Sequence, residues 1–108
     1  FDGIISEDFS QKQVFEESTE ELINPFIKGE NVCIFAYGHT GSGKTHTLVG
    51  DINSSENSGM IFRSVDYIFD MLMDNVSDFS KSDIEIKISI LEIYNESIYD
   101  LLDEKLDY

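Results

Sequence analysis

Between Ser10 and Gly29 the side chains repeat at helical spacing. Val14, Ser18, Leu22 and Phe26 lie on one row, and Phe15, Ile23 and Ile27 widen it into an apolar stripe. That spacing predicts an amphipathic helix. Ser10 with Gln13 three residues on has the form of a capping box, and Gly29 is a natural stop. Pro25 removes the hydrogen bond to the Glu21 carbonyl, so a kink is expected in the last turn. The pattern then changes. "NVCIFAY", residues 31 to 37, is apolar on both alternating faces, as a strand covered on both sides in a parallel sheet would be.

After a glycine-rich stretch, Lys44 to Val49 should open a second helix. "GDINSSENSG" interrupts it with turn formers. From Met60 the spacing of Ile61, Val65, Ile68, Phe69, Leu72 and Val76 predicts another amphipathic helix. "SDFSKSD" is a polar connection. Residues 84 to 91 alternate through Ile84, Ile86, Ile88 and Ile90 and then add Leu91, which predicts a strand with one strongly apolar face. "YNES" turns the chain, and "IYDLL" gives a short final strand. The order is helix, strand, loop, split helix, strand, short strand, without an internal repeat or a linker.

Composition narrows the function classes. The chain has 108 residues, which suits one domain, and 22 acidic against seven basic residues give a net charge of -15. The acidic residues are scattered, so they read as a solvated surface that repels nucleic acid and anionic membranes. Neither is expected as a partner. No apolar stretch reaches the roughly 18 residues that a helical membrane span requires. The N-terminus lacks the basic and apolar regions of a secretory signal. It also lacks an initiator Met, so the chain reads as a piece of a longer product. Cys33 is the single cysteine; it fits a reducing compartment and is expected as a small buried core residue.

The candidate chemistry lies in "CIFAYGHTGSGKTHT". From Gly38 to Thr45 the sequence reads Gly-x-x-x-x-Gly-Lys-Thr, the form of a phosphate-binding loop. Glycines let successive N–H groups converge on an anion, and the following helix directs its positive end at the same point. Lys44 would reach the β- and γ-phosphates, and the Thr45 hydroxyl would hold Mg²⁺. An ordinary glycine-rich turn can carry the same letters; the strand before and helix after are the context that separates the two. His46 could lay a flat ring against a base, although a histidine near a site is commonly a packing residue. Spacing alone assigns no chemistry to His39. No His/Cys set has metal-ligand spacing.

With these residues in view, the chain resembles the motor domain of kinesins. "NVCIFAYGHTGSGKTHTLVG" is similar to the family's Asn-x-x-x-Phe-Ala-Tyr-Gly-Gln-Thr-Gly-Ser-Gly-Lys-Thr segment, and "LEIYNESIYDLLD" to a second signature downstream. "VFEES" and "GMIFRSVDYIF" align in order between and around them. The resemblance implies a three-layer α/β phosphate-loop fold, with a central, mostly parallel sheet between helices, incomplete in this chain. It makes residues 1–108 a partial motor domain, with the phosphate loop at 38–45, a variable loop at 51–58 and the second signature at 91–103. It also implies an ATPase that moves along microtubules, with ATP and Mg²⁺ as cofactors.

Carried over residue by residue, the resemblance places nucleotide binding on Gly38, His39, Thr40, Gly41, Ser42, Gly43, Lys44 and Thr45, with Lys44 and Thr45 as the catalytic pair and Thr45 on the metal. His46 stands where the family packs a ring on adenine. The Tyr94-Asn95-Glu96 turn supports the fold. His39 departs from the family's Gln, Phe62 from its Pro, Glu30 from a common aromatic, and Pro25 lies nearer the helix end than family prolines do. The Cys33 segment resembles motors placed at the C-terminus of their chains and directed to minus ends. Tubulin would be met through parts of the motor outside these residues, in a cytoplasmic, cytoskeletal setting that includes the spindle as a candidate. Oligomeric state stays open.

The family's Asn-x-x-Ser-Ser-Arg-Ser-His and Asp-Leu-x-Gly segments, which sense the γ-phosphate and position water, do not occur in these residues. The segment alone is therefore expected to show no microtubule-stimulated turnover, and to fold well only within a complete motor. Two other readings stay open. A small nucleotide kinase would need a lid with arginines, and Arg63 is the one arginine. A motor-derived remnant would bind nucleotide or a partner without hydrolysis.

Overall fold

The computed structural model describes residues 3–74 and 85–103. The chain divides into two compact units, Phe1–Val76 and Ser77–Tyr108.

The first unit is helical. α1 spans Gln11–Ser18, α2 Glu20–Ile27, α3 Lys44–Leu48 and α4 Met60–Asp74. The capping box forms as expected: Ser10 N donates to Gln13 Oε1 at 2.9 Å, and Gln13 N donates to Ser10 Oγ at 3.3 Å. The single helix expected from Ser10 to Gly29 is, however, two. The break falls at Thr19, whose φ of -122° leaves the helical region. Just before it, the Ser18 hydroxyl donates to the Val14 carbonyl at 2.6 Å. Such back-bonding competes with the main-chain ladder and bends helices.

Pro25 lies inside α2, and its effect is felt at the end of that helix. Glu30 N donates to the Pro25 carbonyl at 3.0 Å and Gly29 N to the Phe26 carbonyl at 3.0 Å, with Gly29 at φ +92°. This pair of bonds is a Schellman closure, which satisfies carbonyls the helix leaves open. The stop at Gly29 is thus as the sequence predicts.

The buried seam is offset by one position from the predicted row. Gln11, Phe15, Thr19 and Ile23 are buried, whereas Leu22 and Phe26 are exposed. The seam faces α4, which packs against both α1 and α2. Phe15 meets the Tyr67 ring edge-on at 5.9 Å, and the Tyr67 hydroxyl donates to Glu20 Oε1 at 3.1 Å. Desolvation, and then the hydrogen bond and charge of Glu20, push the Tyr67 hydroxyl's pKa above its ordinary value.

Residues 31–37 form no helix or strand and join no β-ladder among the described residues. Val32 and Ile34 line a shallow apolar groove with Leu22, Phe26 and Ile68. The alternate residues Phe35 and Tyr37 are about three-quarters exposed. The strand expected to be covered on both sides is thus half covered on one. Cys33 shares the open face and is exposed, not buried as its type suggests. The physical reason is that a strand is made by its neighbours' hydrogen bonds, and the described residues supply none at this position.

The second unit holds an antiparallel hairpin of β1, Leu91–Tyr94, and β2, Ser97–Asp100. Ile93 pairs with Ile98 and Tyr94 with Ser97. The turn expected at "YNES" is in place. Asn95 and Glu96 take φ of 47° and 65°, the positive pair that matches strand twist in a two-residue loop. The strand expected over 84–91 begins only at Leu91; residues 85–90 carry no ladder, and Ile84 lies outside the described residues. Leu101 N donates to the Ile90 carbonyl at 2.8 Å, which adds one bond past the assigned pairing. Of the central sheet expected from the resemblance, the described residues form this hairpin.

Candidate functional site

The glycine loop begins at Gly38 and enters α3 at Lys44. Gly43 is the residue before the helix, at φ 90° and ψ 7°, a left-handed conformation that a side chain strains. It provides no side-chain cap. The first N–H groups of a helix have no acceptor within it, so these donors face outward at the loop's mouth. Ser42 N donates to the His39 carbonyl at 3.2 Å and closes the turn between.

Lys44 folds back across this turn. Its Nζ donates to the Gly38 and His39 carbonyls, each at 2.9 Å. The ammonium is therefore held beside the same main chain whose N–H groups open the helix. Thr45 is exposed, and among the described residues nothing bonds its hydroxyl. Its carbonyl accepts from Val49 N at 2.8 Å and Gly50 N at 3.1 Å. Gly38 through Gly43 thus form one exposed loop that leads into Lys44 and Thr45 at the start of α3.

The two histidines differ. His39 donates from Nδ1 to the neighbouring Thr40 carbonyl at 2.8 Å, a local contact. His46 has an exposed ring on α3; with Ser42 it lines a recess of about 450 Å³ that Ile5, Phe9 and Met60 also border. A second recess, of about 380 Å³, lies between α1 and α4. Glu16, Glu20, Asp66 and Asp70 line it against the cations Lys12 and Arg63, which leaves it net acidic.

Three residues that sequence reasoning did not select hold α3 or the loop after it. Gln11, buried at the start of α1, donates from Nε2 to the His46 carbonyl at 2.7 Å. Gly59 N donates to the Val49 carbonyl at 2.8 Å, and a Cβ on Gly59 would lie 2.6 Å from the Leu48 carbonyl oxygen. Two segments of main chain touch there, which leaves room only for glycine. Arg63 donates to three carbonyls of the variable loop, Ser55, Glu56 and Ser58. The signal for Arg63 was its uniqueness in an acidic chain; Gln11 and Gly59 carried none.

The glycine loop runs directly into a helix, one half of the context that a phosphate-binding loop requires. The kinesin motor domain family model matches residues 1–107, and the chain belongs to that family. It is 44% identical over 101 residues to the kinesin-like protein klp-3 of Caenorhabditis elegans, covering 94% of this chain and 16% of that one. It is 40% identical over 107 residues to kinesin-like protein 3 of Schizosaccharomyces pombe, covering 99% and 19%. Among solved structures it is similar to Drosophila NOD, docked with bovine tubulin into a map of nucleotide-free NOD complexed to the microtubule. There the TM-score is 0.81 at 24% identity, over 96% of this chain and 36% of that one. That likeness shows the fold: a kinesin-type α/β motor, of which these residues make helices, the glycine loop and a hairpin. The chain spans less than a fifth of either relative's length.

Proposed function

We propose that the chain is the phosphate-gripping segment of a kinesin motor, which binds ATP with Mg²⁺ and couples its hydrolysis to movement along microtubules. The observation that carries this reading is the Lys44 ammonium, held at 2.9 Å from the Gly38 and His39 carbonyls at the mouth of an uncapped helix. The donor set suits a polyphosphate: main-chain N–H groups, one ammonium and one threonine hydroxyl, with no carboxylate in the loop.

The roles follow from what each group can do. Gly38, His39, Thr40, Gly41, Ser42 and Gly43 supply the curled backbone that directs donors at the phosphates. Lys44 exchanges its two carbonyl partners for β- and γ-phosphate oxygens, trading neutral acceptors for charged ones. The Thr45 hydroxyl holds Mg²⁺, and the His46 ring lies on the base. Bound Mg²⁺ neutralises charge between the phosphates. The microtubule contact and the water-positioning groups belong to parts of a kinesin motor outside these residues, and the protein acts in the cytoplasm on the microtubule cytoskeleton.

Calorimetric titration of the full protein with Mg-ATP tests this. Lys44→Ala removes a charge-assisted contact of roughly 1.5–3 kcal/mol, so affinity should fall by about 10- to 100-fold. Unchanged affinity in the variant would refute the assignment.

A further inference from the structure

Arg63 has an unusual set of partners. In a chain with a net charge of -15 it is the one arginine, yet among the described residues it joins no ion pair. Its Nε donates to the Ser58 carbonyl at 2.9 Å, and its Nη2 to the Glu56 carbonyl at 2.7 Å and the Ser55 carbonyl at 3.2 Å. A rigid planar fork can hold several carbonyls of one turn at once, which a lysine ammonium on a flexible stem does poorly. The guanidinium therefore gathers the end of segment 51–58 onto the first turn of α4.

That segment is closed at its base by main-chain bonds. Gly50 bridges Ser58, and Asp51 N donates to the Asn57 carbonyl at 2.9 Å. Gly59 N donates to the Val49 carbonyl at 2.8 Å, and Val49 N and Gly50 N both donate to the Thr45 carbonyl. From the guanidinium to Thr45 the path runs only through main chain, with no flexible side chain between. Tyr67, one turn beyond Arg63 on α4, is itself fixed against Phe15 and Glu20. The clamp thus acts from an anchored helix.

We infer that Arg63 is a positioning residue for the nucleotide site: by clamping segment 51–58 shut against the C-terminal end of α3 it fixes the Thr45 main chain, and with it the hydroxyl assigned to Mg²⁺. This rests on the phosphate-loop reading above. It assigns Arg63 no contact with nucleotide. Groups bonded directly to a metal ligand typically change metal affinity by 10- to 100-fold; Arg63 acts through more bonds, so its effect is set at the low end of that range.

The test uses the full protein with Arg63→Ala and Arg63→Lys. Amide exchange is measured without nucleotide, and affinity for ATP with Mg²⁺ and again with EDTA. Arg63→Ala should speed exchange in 51–58 and at Val49 and Gly50 while leaving α1 protected. It should weaken Mg-ATP binding about tenfold and metal-free ATP binding by less; Arg63→Lys should fall between. The lysine variant keeps charge and stem, so it carries the comparison if the alanine variant does not fold. Faster exchange with unaltered Mg-ATP affinity would overturn the inference, as would an equal loss with and without Mg²⁺. Wild-type protein that binds no Mg-ATP would instead fail the phosphate-loop reading itself, and the clamp's role with it.

Discussion

A stretch with few apolar residues and one made almost wholly of them meet opposite fates in this molecule. "QKQVFEES" becomes α1 and buries Phe15, whereas "NVCIFAY" forms no regular element and leaves Phe35 and Tyr37 open to solvent. The difference is where the hydrogen bonds lie. A helix satisfies its main chain within itself, so a capping box and one apolar seam suffice. A strand depends on neighbours that sequence-local signals cannot supply.

Substitutions should expose this contrast directly. Phe15→Ala empties the contact with Tyr67 and should cost about 3 kcal/mol or more of the α1–α4 unit's stability, read by amide exchange in both helices. Ser10→Ala removes the cap and should cost about 1 kcal/mol, confined to the first turn of α1. Phe35→Ala, at 75% exposure, should stay within about 0.5 kcal/mol in these 108 residues. A Phe35 effect as large as that of Phe15 would mean that segment 31–37 is a formed strand after all.

The smallest effect concerns pH. The Tyr67 hydroxyl's pKa is raised in the folded chain, chiefly by desolvation and further by Glu20. A raised value means the folded state holds the proton more tightly. The stabilisation is therefore complete below the ordinary tyrosine value of 10.0 and is lost as pH rises through the higher folded value. Tyr67→Phe should remove this alkaline dependence of α4 exchange.

What the sequence discloses follows the same division. The capping box at Ser10, the stop at Gly29, the helix from Met60 as far as Asp74 and the turn at Asn95 and Glu96 are local patterns and are present as read; Val76, the last residue of the expected helical stripe, lies outside the described residues. The glycine loop was legible for the same reason: eight contiguous residues define it. The break at Thr19 was not, because it depends on the Ser18 hydroxyl choosing the Val14 carbonyl over solvent. Nor was the offset seam, since Gln11 is buried by a bond to His46, 35 residues away. Gly59 and Arg63 act on main-chain atoms, which no side-chain pattern records. The strand at 31–37 was overestimated because its apolar faces call for sheet neighbours that the described residues do not provide.

The central claim is that the Gly38–Thr45 backbone, with the Lys44 ammonium, grips the phosphates of ATP. Amide chemical shifts of the full protein, followed during titration with Mg-ATP, test it most directly. The account predicts saturable shifts at Gly41, Gly43, Lys44 and Thr45 that need about 10- to 100-fold more ligand in Lys44→Ala. Resonances that stay still through the titration, or that move equally in the variant, would contradict it.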